Sequence, residues 1–157
     1  MDTRRPDAKR WWVLDPIDGT KGFMRGAQYC TALSLIDVYE GGYEREAVVG
    51  VLGCPNLERD GSLRDGSDGD GVVVAAARGA GCWKTPYAED DWTPLATTQR
   101  ASWTDGLLIE GVAASHSDHG ASARAAETLN LKSEPVRLDS QAKHALLAGG
   151  RGDLFTR

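Results

Sequence analysis

Asp15-Pro16-Ile17-Asp18-Gly19-Thr20 follows directly on the apolar run Trp11-Trp12-Val13-Leu14. The run reads as a buried strand starting near Arg10, and the hexapeptide marks its end. Two carboxylates three residues apart then stand at a strand end, with a glycine and a hydroxyl immediately after. Carboxylates so placed suit a hard cation such as Mg²⁺, which takes oxygen ligands and keeps positions open for a phosphate. Gly19 and Thr20 can offer a backbone N–H and a hydroxyl to a phosphate oxygen if a helix begins there. Asp-Pro and Asp-Gly are also ordinary turn dipeptides, so the hexapeptide alone leaves metal site and turn open.

Working outward, residues 31–39 and 47–52 read as two further strands joined as an antiparallel hairpin. Residues 59–71, RDGSLRDGSDGDG, have almost nothing to bury and predict a loop. Residues 72–76 and 79–83 resume the strands, and residues 85–100 are polar and turn-rich. The pattern changes near Ala101. Residues 107–112 predict a strand, and 118–129 a helix capped by Asp118. Residues 136–138 predict a short strand, 140–147 a helix with Ser140 as its N-cap, and 153–157 the start of another strand. A β-meander followed by alternating β and α predicts an α/β chain of the layered, α+β kind.

The 157 residues suffice for one domain with a real core. A net charge of −5 gives no reason to expect a nucleic-acid polymer as partner, while a small anionic nucleotide remains compatible with it. Cys30, Cys54 and Cys82 form neither a zinc pattern nor a disulfide framework, and read as reduced thiols. The charged N-terminus is no secretory signal, and no apolar run approaches the roughly 20 residues that span a bilayer. These features predict a cytoplasmic protein with no membrane partner. They leave the oligomeric state open.

Other clusters read more plainly. Ser115-His116-Ser117-Asp118-His119 lacks the context of a hydrolase triad and the spacing of a zinc site, and reads as a polar loop and helix cap. Asp65, Asp68 and Asp70 lack the ligand order of a calcium loop. Arg151-Gly152-Asp153 reads as a chance tripeptide, and Trp83 and Trp92 as packing residues. In Leu138-Asp139-Ser140-Gln141-Ala142-Lys143, a hydroxyl, helix N-terminal amides and an ammonium converge, which suits an anion. A capped surface helix with a solvated lysine is the alternative.

Residues 15–23, DPIDGTKGF, resemble the metal-binding motif of the inositol monophosphatase superfamily. The continuation Met24-Arg25-Gly26-Ala27-Gln28-Tyr29 is similar to its 3′(2′),5′-bisphosphate nucleotidase branch, which removes the 3′-phosphate of adenosine 3′,5′-bisphosphate to leave AMP. Residues 138–143 match the same branch, residues 110–119 resemble a loop lining its nucleotide pocket, and residues 53–57 resemble a structural turn. The resemblance implies two or more Mg²⁺ ions, with Asp15 bridging two, Asp18 binding one and the Ile17 carbonyl as a further ligand. It implies that Gly19 and Thr20 meet the phosphate, Thr20 also orienting the attacking water. Asp15, Asp18 and Thr20 would be the catalytic set. His116 would contact sugar or base, Ser140 and Lys143 the retained phosphate, and Arg157 the substrate. Two nearby cations acidify a bound water and stabilise the leaving oxygen. An inositol-phosphate phosphatase and a non-catalytic remnant binding nucleotide or phosphate are the alternatives.

The resemblance also implies a fold, the family's α-β-α-β-α sandwich. Residues 1–100 would be part of the β-rich first half and residues 101–157 the opening of the second α/β half, with the site between them. Family members run to roughly twice this size. A paired-glutamate segment, an Asp further upstream, and a downstream Trp-Asp-x-Ala-Ala-Gly motif have no match here. The expectation is therefore a fragment with reduced or no activity, open sheet edges and exposed apolar faces.

Overall fold

The computed structural model describes residues 9–38, 45–60, 70–112 and 118–156. Its first sheet is an antiparallel meander of β1 (Arg10–Asp18), β2 (Cys30–Val38), β3 (Arg45–Cys54), β4 (Val72–Ala77), β5 (Gly81–Pro86) and β6 (Thr93–Leu95), in that spatial order. The β-branched and apolar runs thus pair with their sequence neighbours. The helix α1 (Thr20–Met24) interrupts the path from β1 to β2.

β1 does not end before Asp15, as the turn dipeptides suggested. Its pairing runs from Arg10↔Asp37 through Asp15↔Ala32, shifts, and resumes at Asp18↔Cys30. The shift inserts one residue into β1 at Pro16-Ile17. A bulge tolerates proline, because the missing N–H falls where the ladder is already broken. Because successive strand side chains alternate in face, the extra residue brings Asp18 round to the side Asp15 occupies. Both carboxylates line the same cavity.

The run expected to be a buried strand is instead an edge strand. Among the described residues β1 pairs with β2 alone, and Trp12, Val13 and Leu14 are 57%, 53% and 57% exposed. Apolar character marked the strand correctly, but its neighbours leave both faces largely uncovered. Trp83 and Trp92 are likewise more exposed than packing residues, with indole N–H groups donating to the Ala80 carbonyl (3.1 Å) and to Asp90 (2.9 Å). Trp83 lies on β5 and Trp92 just before β6, at the opposite edge from β1.

The second sheet is parallel, with β7 (Leu108–Glu110) between β8 (Val136–Arg137) and β9 (Leu154–Phe155). Its crossovers carry α2 (His119–Thr128) and α3 (Ala142–Ala148). Asp118 caps α2 as expected, accepting from the Ala121 N–H at 2.9 Å. Ala142, Ala145 and Leu146 of α3 belong to one buried cluster with Ile109 and Leu138 and with Cys30, Cys54, Leu57, Val72 and Val74. One core thus joins the two sheets through α3.

A buried carboxylate ties the connection between the sheets. The side chain of Asp153 is 2% exposed and accepts from the Leu107 N–H at 2.7 Å, from Arg100 Nε at 2.7 Å and from the Thr98 hydroxyl. This gives the Asp of Arg151-Gly152-Asp153 a structural role. Most of the acidic loop, with Asp65 and Asp68, lies outside the described residues. Asp70 is described and lies 3.4 Å from Arg59 Nε. No described helix is long and apolar enough to cross a membrane.

Candidate functional site

The site forms where residues 18–25 meet residues 138–144. Gly19 (φ +82°) turns the chain from β1 into α1, a left-handed conformation that suits glycine. A Cβ on Gly19 would stand 2.6 Å from Ser140 Cβ, so the absent side chain allows the two segments to touch. Gly22 is packed as closely, since a Cβ there would lie 2.1 Å from the Gln28 carbonyl oxygen. Arg25 completes the joint by pairing with Asp139, whose side chain is 12% exposed.

Ser140 is not the N-cap of α3. It has φ +69°, Gln141 holds the cap position, and the helix begins at Ala142. The hydroxyl still accepts from the Ala142 N–H at 3.2 Å. The left-handed turn at Ser140 swings the Gln141 N–H onto the carboxylate of Asp18. A negative charge therefore already stands ahead of α3, and it belongs to the protein.

The remaining predicted residues lie around this joint. Asp15 Oδ1 accepts from the Ile17 N–H at 3.3 Å, and the Ile17 carbonyl accepts from the Thr20 hydroxyl at 3.3 Å. The Pro16 carbonyl accepts from the Thr31 hydroxyl at 2.9 Å. Lys143 Nζ donates to the Leu138 carbonyl at 3.4 Å and lies 5.6 Å from the centre of the Phe155 ring. His116 and Arg157 lie outside the described residues.

Asp15, Asp18, Gln141 and His144 border a cavity of about 630 Å³, otherwise lined mainly by small and apolar residues of β1–β5. His144 was missed by sequence reasoning, although it directly follows Lys143 in the matched segment. Its ring packs edge-on against Phe155 with centroids 5.3 Å apart. Burial and then the Lys143 ammonium hold its pKa below the ordinary imidazole value, with Asp18 opposing them.

Two further groups complete the surroundings. Cys30 Sγ lies 3.7 Å from Asp18 Oδ2. The neighbouring Cys30 thiol and burial push the Cys54 thiol far up. Glu110, 1% exposed, accepts from Arg137 Nε at 2.6 Å and pairs with His119 Nδ1 at 3.1 Å. Burial would raise its pKa, but hydrogen bonds from Arg137 and Ser122 and the nearby His119 and Arg137 charges bring it below the ordinary carboxylate value.

The donor set at Asp15, Ile17 and Asp18 is all oxygen. That chemistry fits a hard divalent ion which keeps several waters, and does not fit zinc. Among the described residues, no three or more His, Cys, Asp or Glu side chains converge as a metal cluster.

The chain is 40% identical over 150 residues to a 3′(2′),5′-bisphosphate nucleotidase of Schizosaccharomyces pombe, covering 94% of this chain and 40% of that relative. It is 38% identical over 160 residues to the Emericella nidulans protein of the same name, covering 94% and 44%. The chain thus spans less than half the length of the curated relatives it matches. Among solved structures, Mycobacterium tuberculosis SuhB superposes with a TM-score of 0.65 at 24% identity, over 95% of this chain and 53% of that one, a likeness of fold. The profile of the inositol monophosphatase family matches residues 2–157, and the chain belongs to that family.

Proposed function

We propose that this chain carries the central part of a Mg²⁺-dependent 3′(2′),5′-bisphosphate nucleotidase site, which hydrolyses the 3′-phosphate of adenosine 3′,5′-bisphosphate to AMP and phosphate. The supporting observation is the joint itself. The two segments with nucleotidase-like patterns, 122 positions apart from Asp18 to Ser140 by residue number, meet through Gly19–Ser140, Asp18–Gln141 and Arg25–Asp139. The names of the curated relatives agree with this substrate class.

On this reading Asp15 and Asp18 hold Mg²⁺ with the Ile17 carbonyl. When bound, the ion neutralises phosphate charge and acidifies a water. The protein's own groups orient the reactants. Asp18 is held by the Gln141 N–H, which limits its freedom to turn away. Thr20 is positioned by its bond to Ile17, leaving hydroxyl lone pairs to accept from the attacking water. Gly19 contributes a backbone N–H to the phosphate. Ser140 and Lys143 take the retained phosphate, and His116 and Arg157 extend the substrate contacts. Residues 1–100 and 101–157 act as the two halves that close on the nucleotide, in the cytoplasm.

The purified chain is expected to release phosphate from adenosine 3′,5′-bisphosphate only with Mg²⁺ present. Asp15→Asn should lower that rate by about 100-fold or more, the scale of losing one preorganised electrostatic group. Mg²⁺-independent release, or an unaffected Asp15→Asn variant, would defeat the catalytic reading. A second reading, a non-catalytic nucleotide-binding chain, is favoured by the absence of a three-residue metal cluster among the described residues. It predicts no phosphate release but calorimetric heat on titration with AMP, diminished in Lys143→Ala.

A further inference from the structure

Cys30 is the first residue of β2 and Cys54 the last of β3. The last pair of their antiparallel ladder is Thr31↔Gly53, so Cys30 and Cys54 stand opposite one another one position beyond it. Both share a sheet face and both are 0% exposed. On the other side of Cys30 stands Asp18, paired with it across β1 and β2 and within 3.7 Å of its sulfur. Asp18, Cys30 and Cys54 thus form one row across three strands.

We infer that Cys30 and Cys54 are a dithiol that closes to a reversible disulfide under peroxide, and that closure withdraws the Cys30 S–H from Asp18. Opposed residues on antiparallel strands hold their Cβ atoms ~4.5–5.5 Å apart, and a disulfide needs ~3.5–4.5 Å. Closing the bond therefore requires movement of about 1 Å. The pair lies at the end of its ladder, where no further β2–β3 pair resists that movement.

The chemistry balances with peroxide as the two-electron oxidant. One sulfur takes an oxygen atom from hydrogen peroxide to become a sulfenic acid, and the peroxide leaves as water. The second sulfur attacks the first, forming the S–S bond and releasing the hydroxyl as a second water with its own proton. Two thiols are oxidised and one peroxide is reduced to two waters. Both sulfurs are shielded, so a small reagent is required and the rate follows opening of the strand ends. A sulfur bonded to Cys54 has no hydrogen left to donate to Asp18. The inference concerns the thiols and stands apart from the phosphatase reading.

Peptide mapping tests it. Cleavage after Arg25, Arg45, Arg59, Arg78 and Lys84 puts Cys30, Cys54 and Cys82 on three different tryptic peptides. The full chain is reduced, exposed to hydrogen peroxide, unfolded in iodoacetamide and digested. The Cys30 and Cys54 peptides should appear joined, about 2 Da below their summed mass, with Cys82 outside the link. Dithiothreitol should separate them. Cys82→Ser should leave the joined peptide unchanged, whereas Cys54→Ala should abolish it. If Cys54→Ala fails to fold, the Cys82→Ser chain still decides. Cys30 and Cys54 both recovered alkylated after peroxide, or either joined to Cys82, would overturn the inference.

Discussion

Gly19→Ala should lower the stability of the chain by about 3 kcal/mol, read as a shift in the urea midpoint at unchanged slope. Two costs combine. A residue with a Cβ at φ +82° is strained by roughly 1–2 kcal/mol. The new methyl also meets Ser140 Cβ at 2.6 Å, and overpacking of that kind costs roughly 1–3 kcal/mol. Gly26→Ala separates the terms. Its φ is +66°, but nothing lies within 4 Å of the position a Cβ would take. It should therefore show the backbone cost alone, about 1 kcal/mol. Equal losses in both variants would show that the approach of Gly19 to Ser140 contributes nothing.

Asp153→Ala should cost a similar amount, about 3 kcal/mol, in the same urea experiment. The substitution strands the Leu107 N–H, the Thr98 hydroxyl and Arg100 at once. Removing one partner of a buried ion pair costs roughly 3–5 kcal/mol, but Arg100 is 34% exposed and can return to water, which reduces its share. The carboxylate also has a pH signature. Burial raises its pKa, and hydrogen bonds from Arg100, Thr98 and the Leu107 N–H outweigh burial and bring it below the ordinary value. A depressed folded-state pKa contributes stability that is complete above the unfolded value, about 3.9, and is lost as pH falls through the folded value. Glu110 acts in the same direction. The urea midpoint should therefore decline below about pH 4, less steeply in Asp153→Asn than in the parent. An identical acid slope in the two would remove Asp153 from the account.

Much of the architecture was legible because it is local. The strands of the meander pair in sequence order, so apolar runs separated by turn residues were enough to place β1 to β5, whereas β6 is three residues inside the stretch 85–100 that reads as polar turns. α2 followed from Asp118 and the apolar spacing behind it. What escaped depends on contacts distant in sequence. Trp12, Val13 and Leu14 identify a strand, but nothing in the run tells an edge from a centre. Pro16 looked like a turn because the bulge that accommodates it is visible only in the register with β2. Ser140 looked like an N-cap because neither its left-handed backbone nor its closeness to Gly19 shows in the local pattern. The carboxylates were legible by type, whereas the amide that holds Asp18 and the imidazole of His144 emerged only from the fold.

The bond from the Gln141 N–H to Asp18 spans 123 positions of sequence. A ribosome makes the chain in one direction, so Asp18 and the whole meander through Leu95 emerge before Gln141 exists. Throughout that interval the carboxylate has no amide to hold it, and Gly19 has no Ser140 to touch. The two segments that make the site are therefore assembled in a fixed temporal order, with the strand waiting for the helix.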